Sequence, residues 1–137
     1  MRRFLLFFFA VFISVSTYAQ GFRYGYCKTN VIGSGDKKGI YISDLFKFPV
    51  GESMEGDYTA KVAQKWRDRL KQVLGDDYPR YGPEVEVIIT NSDCGGSRYF
   101  SSYTDAEDGR DCLVKRIKNS SYSSGSKYFK ILFRFDY

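Results

Sequence analysis

From residue 22 onward, hydrophobic and polar positions change period several times, and each change marks an element. Phe22, Tyr24 and Tyr26 alternate with Arg23, Gly25 and Cys27, the period-2 pattern of a strand with one buried face. A polar, glycine-rich stretch, Gly33 to Gly39, follows, and Ile40-Tyr41-Ile42-Ser43 resumes the strand pattern, which predicts a hairpin. The period then lengthens. Tyr58, Val62, Trp66, Leu70 and Val73 recur at spacings of four and three, predicting a helix over 57–74 with Asp57 as N-cap and Gly75 as the stop. Its outer face carries Lys61, Lys65, Arg69 and Gln72 with Arg67 and Asp68 alongside, the pattern of a solvated basic side. Past a turn-rich connector (76–83), Val85, Val87 and Ile89 alternate through a third strand.

Residues 91–103 read as a loop, and Thr104-Asp105-Ala106-Glu107 then fits a capping box opening a second helix that runs to about Asn119. Ala106, Cys112, Leu113, Arg116 and Ile117 lie along one side of it. After a Ser/Gly loop, Phe129, Ile131, Phe133, Phe135 and Tyr137 alternate with Tyr128, Lys130, Leu132, Arg134 and Asp136 in a last strand. The order β-β-α-β-α-β predicts an α+β domain of two layers, a four-stranded sheet with both amphipathic helices on one face. In that arrangement the other sheet face, with Arg23, Tyr41, Glu86, Tyr128, Lys130, Leu132 and Arg134, is a candidate surface.

The first residues tell a different story. Met1-Arg2-Arg3, an apolar run from Phe4 to Val15, and Thr17-Tyr18-Ala19 with small residues at the peptidase-read positions predict a signal peptide over residues 1–19. The run is shorter than the roughly 20 residues that span a bilayer. Residues 20–137 are then one exported domain, periplasmic or secreted, with no transmembrane segment once the leader is removed. The formal charge is +5, from 21 basic and 16 acidic residues; losing Arg2 and Arg3 with the leader leaves +3. Acids and bases are interspersed, which together with export argues against a nucleic-acid partner.

The chain contains no histidine. That removes Ser-His-Asp and Cys-His hydrolases, His-ligated zinc and the usual neutral-pH proton shuttle. Three cysteines allow three pairings and leave one thiol over. Cys27 ends the first strand and Cys94 follows the third, so Cys27–Cys94 is the expected disulfide, with Cys112 a small hydrophobe on its helix. Three sulfurs without imidazole make a poor metal site, and neither metal nor cofactor is expected.

Two kinds of residue remain as candidate chemistry. Asp105, Glu107, Asp108 and Asp111 form the densest acidic cluster, and paired carboxylates across a cleft can cleave a glycoside, although acids in a first helical turn also complement the helix dipole. The loops 95–103 and 120–126 are rich in Tyr, Ser, Gly and Arg, the composition of binding loops, in which tyrosine offers wide amphipathic contact for little entropy. Tyr78, Arg80 and Tyr81 form a third such segment.

Tyr26-Cys27, the corner Ile40-Tyr41-Ile42-Ser43-Asp44-Leu45-Phe46, Cys94, and Asp105-Ala106-Glu107 with Arg110 together resemble a group of small exported bacterial proteins. That group carries a Tyr-Cys strand, an aromatic-x-Ser-Asp-Leu/Val-Phe corner and a second cysteine. The resemblance implies a Cys27–Cys94 bridge and no assigned activity. The functional expectation is therefore a non-enzymatic binding domain, an inhibitor or envelope accessory, with no catalytic residue. It would engage a protein or glycan of the cell envelope or beyond through Arg98, Tyr99, Phe100, Tyr103 and Tyr122. The alternative is a carboxylate-dependent glycan hydrolase using Glu107 with Asp105 or Asp111.

Overall fold

The alternation that begins at Phe22 becomes an eleven-residue strand, β1 (Gly21–Val31), around which the rest of the sheet is laid. The computed structural model describes residues 21–32, 36–51, 55–120 and 127–137; the expected leader and Tyr122 lie outside them. β1 pairs antiparallel with β2 (Gly39–Ser43), forming the expected hairpin, and also with β3 (Phe46–Val50) and β4 (Glu86–Ile88). β5 (Lys127–Ile131) joins β2 in parallel, so the sheet is mixed and five-stranded, one strand more than expected. The additional strand is β3, which tolerates Pro49 opposite Phe22.

β2 and β3 are separated by a one-residue slip. Lys28 stands opposite Ile42 and Gly25 opposite Phe46, so Tyr26 and Cys27 on β1 face Ser43, Asp44 and Leu45. This is a β-bulge. It interrupts the ladder at Cys27, whose amide donates instead to Ser43 Oγ at 2.8 Å, while the same hydroxyl donates to the Asp44 carbonyl at 2.6 Å. The Ser-Asp corner thus turns the chain without leaving that buried amide unpaired.

Two helices cover the sheet, α1 (Glu55–Leu74) and α2 (Tyr103–Asn119). Val62, Trp66, Leu70 and Leu74 of α1 are fully buried, and Gly75, with φ of +57°, ends the helix in the left-handed conformation. They pack with Cys27, Val31, Tyr41, Phe46, Phe48, Ile131 and Phe133. The other core cluster unites Tyr26, Ile42, Ile88 and Phe100 with Ala106 and Leu113 of α2. Because neighbouring strand residues point to opposite sides, Cys27 with Tyr41 and Tyr26 with Ile42 lie on opposite faces. The helices therefore lie on opposite faces too, correcting the expected two-layer arrangement to α1, sheet, α2.

The reason is visible in the strands. β1 and β2 are apolar on both sides, with Tyr24 and Tyr26 against Cys27 and Val31, and Ile40 and Ile42 against Tyr41, the pattern of strands covered twice. Tyr41 is buried under α1 and Tyr128 packs against the α2 cluster, so the proposed outward sheet surface does not exist as such. Trp66 Nε1 donates to Thr29 Oγ1 at 2.9 Å, satisfying both polar atoms in the α1 core.

The same facing corrects the disulfide. Cys27 points into the α1 layer as a buried free thiol, and burial pushes its pKa well above the ordinary range. Cys94, in a short 3-10 turn (Ser92–Cys94), is bonded to Cys112 of α2, with Cα atoms 6.3 Å apart. Cys27 and the α2 layer are on different sides of the sheet. The disulfide fits an oxidising compartment. Among the described residues, no helix is long and apolar enough to cross a membrane.

Candidate functional site

The loop between β4 and α2 is built around one residue, Asn91. The Asn91 carbonyl accepts from the amides of Cys94 (2.9 Å) and Gly96 (3.1 Å), and Asn91 Oδ1 accepts from the Arg98 amide at 3.1 Å. The Asn91 amide closes the loop by donating to the Arg98 carbonyl, and Thr90 and Tyr99 form an isolated antiparallel bridge. Disulfide Cys94–Cys112 then fastens this loop to the third turn of α2. A loop with so many internal bonds presents its side chains in fixed positions.

Phe100 anchors the loop from below. Its ring is 2% exposed, and a Cβ added at Gly109 would meet it at 2.5 Å, so α2 needs a glycine there to approach. With Phe100 seated, Ser101 and Ser102 fall at the helix entrance. Ser102 Oγ accepts from the Asp105 amide at 3.1 Å, making Ser102 the N-cap. The N-cap is thus Ser102, two residues earlier than the Thr104 of the expected box. The Asp105 carboxylate reaches back to the Ser101 amide (3.2 Å) and the Ser101 hydroxyl, and these bonds, with that of Ser102, hold its pKa below the usual carboxylate range.

Over this base lies a cavity of about 500 Å³, lined by Arg98, Tyr99, Ser101, Asp105 and Asp108 around the Cys94–Cys112 bridge. Tyr99 is about half exposed, and the Arg23 guanidinium lies 3.9 Å from its ring centroid. Arg23 is itself held by Glu55 Oε2 at 3.3 Å, so the first turn of α1 braces the aromatic wall.

Of the sequence-predicted site residues, Arg98, Tyr99 and Phe100 converge here, with Phe100 as support. Tyr103, exposed at the first turn of α2, lines a separate hollow of about 240 Å³ with Tyr24, Leu45, Lys47 and Phe135. Glu107 faces Arg110 at 3.8 Å, and neither it nor Asp111 lines the cavity. Arg110 is buried beside Tyr26, whose phenol burial pushes upward. The sequence places Arg23 on the outward sheet face and Asp108 in the acidic cluster but joins neither to the 95–103 loop: Arg23 comes from β1, and the i, i+3 pairing of Asp105 with Asp108 acquires meaning only once the helix start is known. Among the described residues no cluster of three Cys, Asp or Glu side chains could hold a metal ion. No protein-family model, curated protein or solved structure matches the chain.

Proposed function

We propose that this is a small exported, non-enzymatic binding domain that engages a glycan of the envelope or of the surroundings through the cavity between the 91–100 loop and α2. The observation that carries the reading is a preformed concavity in which a braced tyrosine, an arginine, a serine and two carboxylates meet. Glycans offer ring faces and hydroxyls at close spacing, and a half-open polar cavity of about 500 Å³ suits one or two sugar rings better than a flat protein surface. The Asp105 carboxylate, held by the Ser101 amide and hydroxyl, is preorganised to accept further hydrogen bonds at reduced ordering cost.

Asp105 and Asp108 share the cavity, and this favours the second reading, a carboxylate-dependent hydrolase. The depressed pKa of Asp105 fits the ionised member of such a pair and not its general acid, a role that would fall to Asp108. Glu107 and Asp111, the residues first considered for that chemistry, are not in the lining.

Amide chemical shifts followed during titration with a panel of neutral and N-acetylated oligosaccharides test the proposal. Shifts confined to residues 91–108, weakened at least tenfold by Tyr99→Ala, are expected. Release of shortened sugars, abolished by Asp108→Asn, would convert the assignment to the hydrolase. Silence of these amides toward every sugar would overturn it.

A further inference from the structure

We propose that the solvent face of α1, with the two hollows beside it, is a docking surface for an acidic polysaccharide. This surface is separate from the cavity on the α2 side and does not rest on the reading given to that cavity. Lys61, Lys65 and Arg69 follow one another at spacings of four, and Arg67 and Lys71 form a second row. Each row runs along the helix. On one flank, a hollow of about 340 Å³ between α1 and the segment after β5 is lined by Lys65, Arg69, Arg134 and Leu132. On the other, a hollow of about 590 Å³ between α1 and the 78–82 turn is lined by Arg67, Lys71, Arg80 and Tyr81.

These cations are positioned without being neutralised. Lys65 Nζ donates to the Asp136 carbonyl at 3.3 Å and lies over the Phe135 ring. Arg69 donates to the Leu132 carbonyl at 3.2 Å and to Gln72 Oε1 at 3.1 Å, and Lys71 lies over Tyr78. All these partners are neutral. The ion pairs among the described residues take up Arg23, Lys28, Lys37, Arg110, Lys127 and Lys130, and none involves the cations flanking α1. The lone acid shared by both hollows, Asp68, accepts from the Gln64 amide at 3.1 Å. Positive potential is therefore concentrated on one side of a chain whose overall excess is small.

Two features point to a polysaccharide chain rather than to a bilayer. The cations line hollows on both sides of the helix, which a flexible chain can enter and a flat lipid surface reaches only at the crest. Tyr81, 94% exposed, and Leu132, 64% exposed, stand at separate hollows as ring-face contacts rather than forming one insertable apolar patch. From Lys61 to Lys71 the helix extends about 15 Å, room for a short run of linked charged sugars.

The test measures binding of the protein to dextran sulfate, with uncharged dextran of equal length and phosphatidylglycerol vesicles as further arms. Dextran sulfate is expected to bind, with log K falling linearly with log salt as counterions are released. The triple change Lys65→Gln, Arg69→Gln, Arg134→Gln should weaken binding at least tenfold at low salt and flatten that slope. A control triple of equal charge loss on the α2 side of the sheet, Lys28→Gln, Lys118→Gln, Lys130→Gln, should weaken it no more than about threefold at the same salt, since these charges lie across the sheet from α1. Arg134→Glu alone, a single exposed change, should reproduce the direction. Equal weakening by both triples, equal binding of uncharged dextran, or binding of vesicles without dextran sulfate would each overturn the proposal.

Discussion

The two helical layers are fastened to the same sheet by different means. α1 buries a tryptophan, two leucines and a valine in a row, and its attachment is a large apolar interface with one polar lock, Trp66 on Thr29. α2 buries Ala106, Gly109, Arg110 and Leu113, a set with little apolar bulk, and adds a disulfide, a serine cap and a close glycine contact. The contrast assigns the layers different tasks. The α1 layer supplies the bulk of the core, whereas the α2 layer trades bulk for a cavity whose walls are tied in place.

Breaking the α1 side should cost most. Trp66→Ala removes the largest buried side chain and strands the Thr29 hydroxyl, and is expected to lower unfolding stability by about 3–5 kcal/mol in urea titrations. A loss below about 1 kcal/mol would mean that this layer is not the main source of the core. The α2 side should be next. Replacing Cys94 and Cys112 together by Ser opens a loop of 18 residues and should cost about 3 kcal/mol. Hydrogen exchange should then rise first in 91–112 while α1 amides stay protected. A uniform rise would show that the two layers open as one.

The smallest expected effects are at the α2 entrance. Ser102→Ala should cost about 1 kcal/mol, read from thermal melts. Because the Asp105 pKa is depressed by folding, its contribution is fully present above the ordinary aspartate value of about 3.9 and disappears as pH falls through the lower folded value. Asp105→Asn should therefore flatten the acid limb of the stability profile and leave the neutral region's pH dependence unchanged.

Elements announced by a strong period were legible in the sequence. The four-residue recurrence around Trp66 located α1, and the alternation on both sides of the Gly-rich turn located the β1–β2 hairpin. What a single chain hides is facing. Ile40, Ile42, Phe46 and Phe48 are all even-numbered, yet the first two face α2 and the last two α1, because the bulge lies between them. The cysteine pairing failed for the same reason, since it depends on which side each helix takes. At the start of α2, two overlapping box patterns compete, and the choice falls to the fit of Phe100 against Gly109, a contact outside both patterns. The loop composition around Arg98 and Tyr99 marked one wall of the cavity. Arg23, which braces Tyr99, is distant in sequence and left no local signal.

The extra residue at the Ser43-Asp44-Leu45 corner bears on which insertions and deletions this chain can survive. Phe46 and Phe48 owe their direction to Gly25 and Arg23 opposite them, so a variant lacking Asp44 would run straight through the corner with both rings still turned toward Trp66. Length variation here would thus remodel the bend while sparing the core, whereas the same one-residue loss in the middle of β1 would turn one half of that strand inside out.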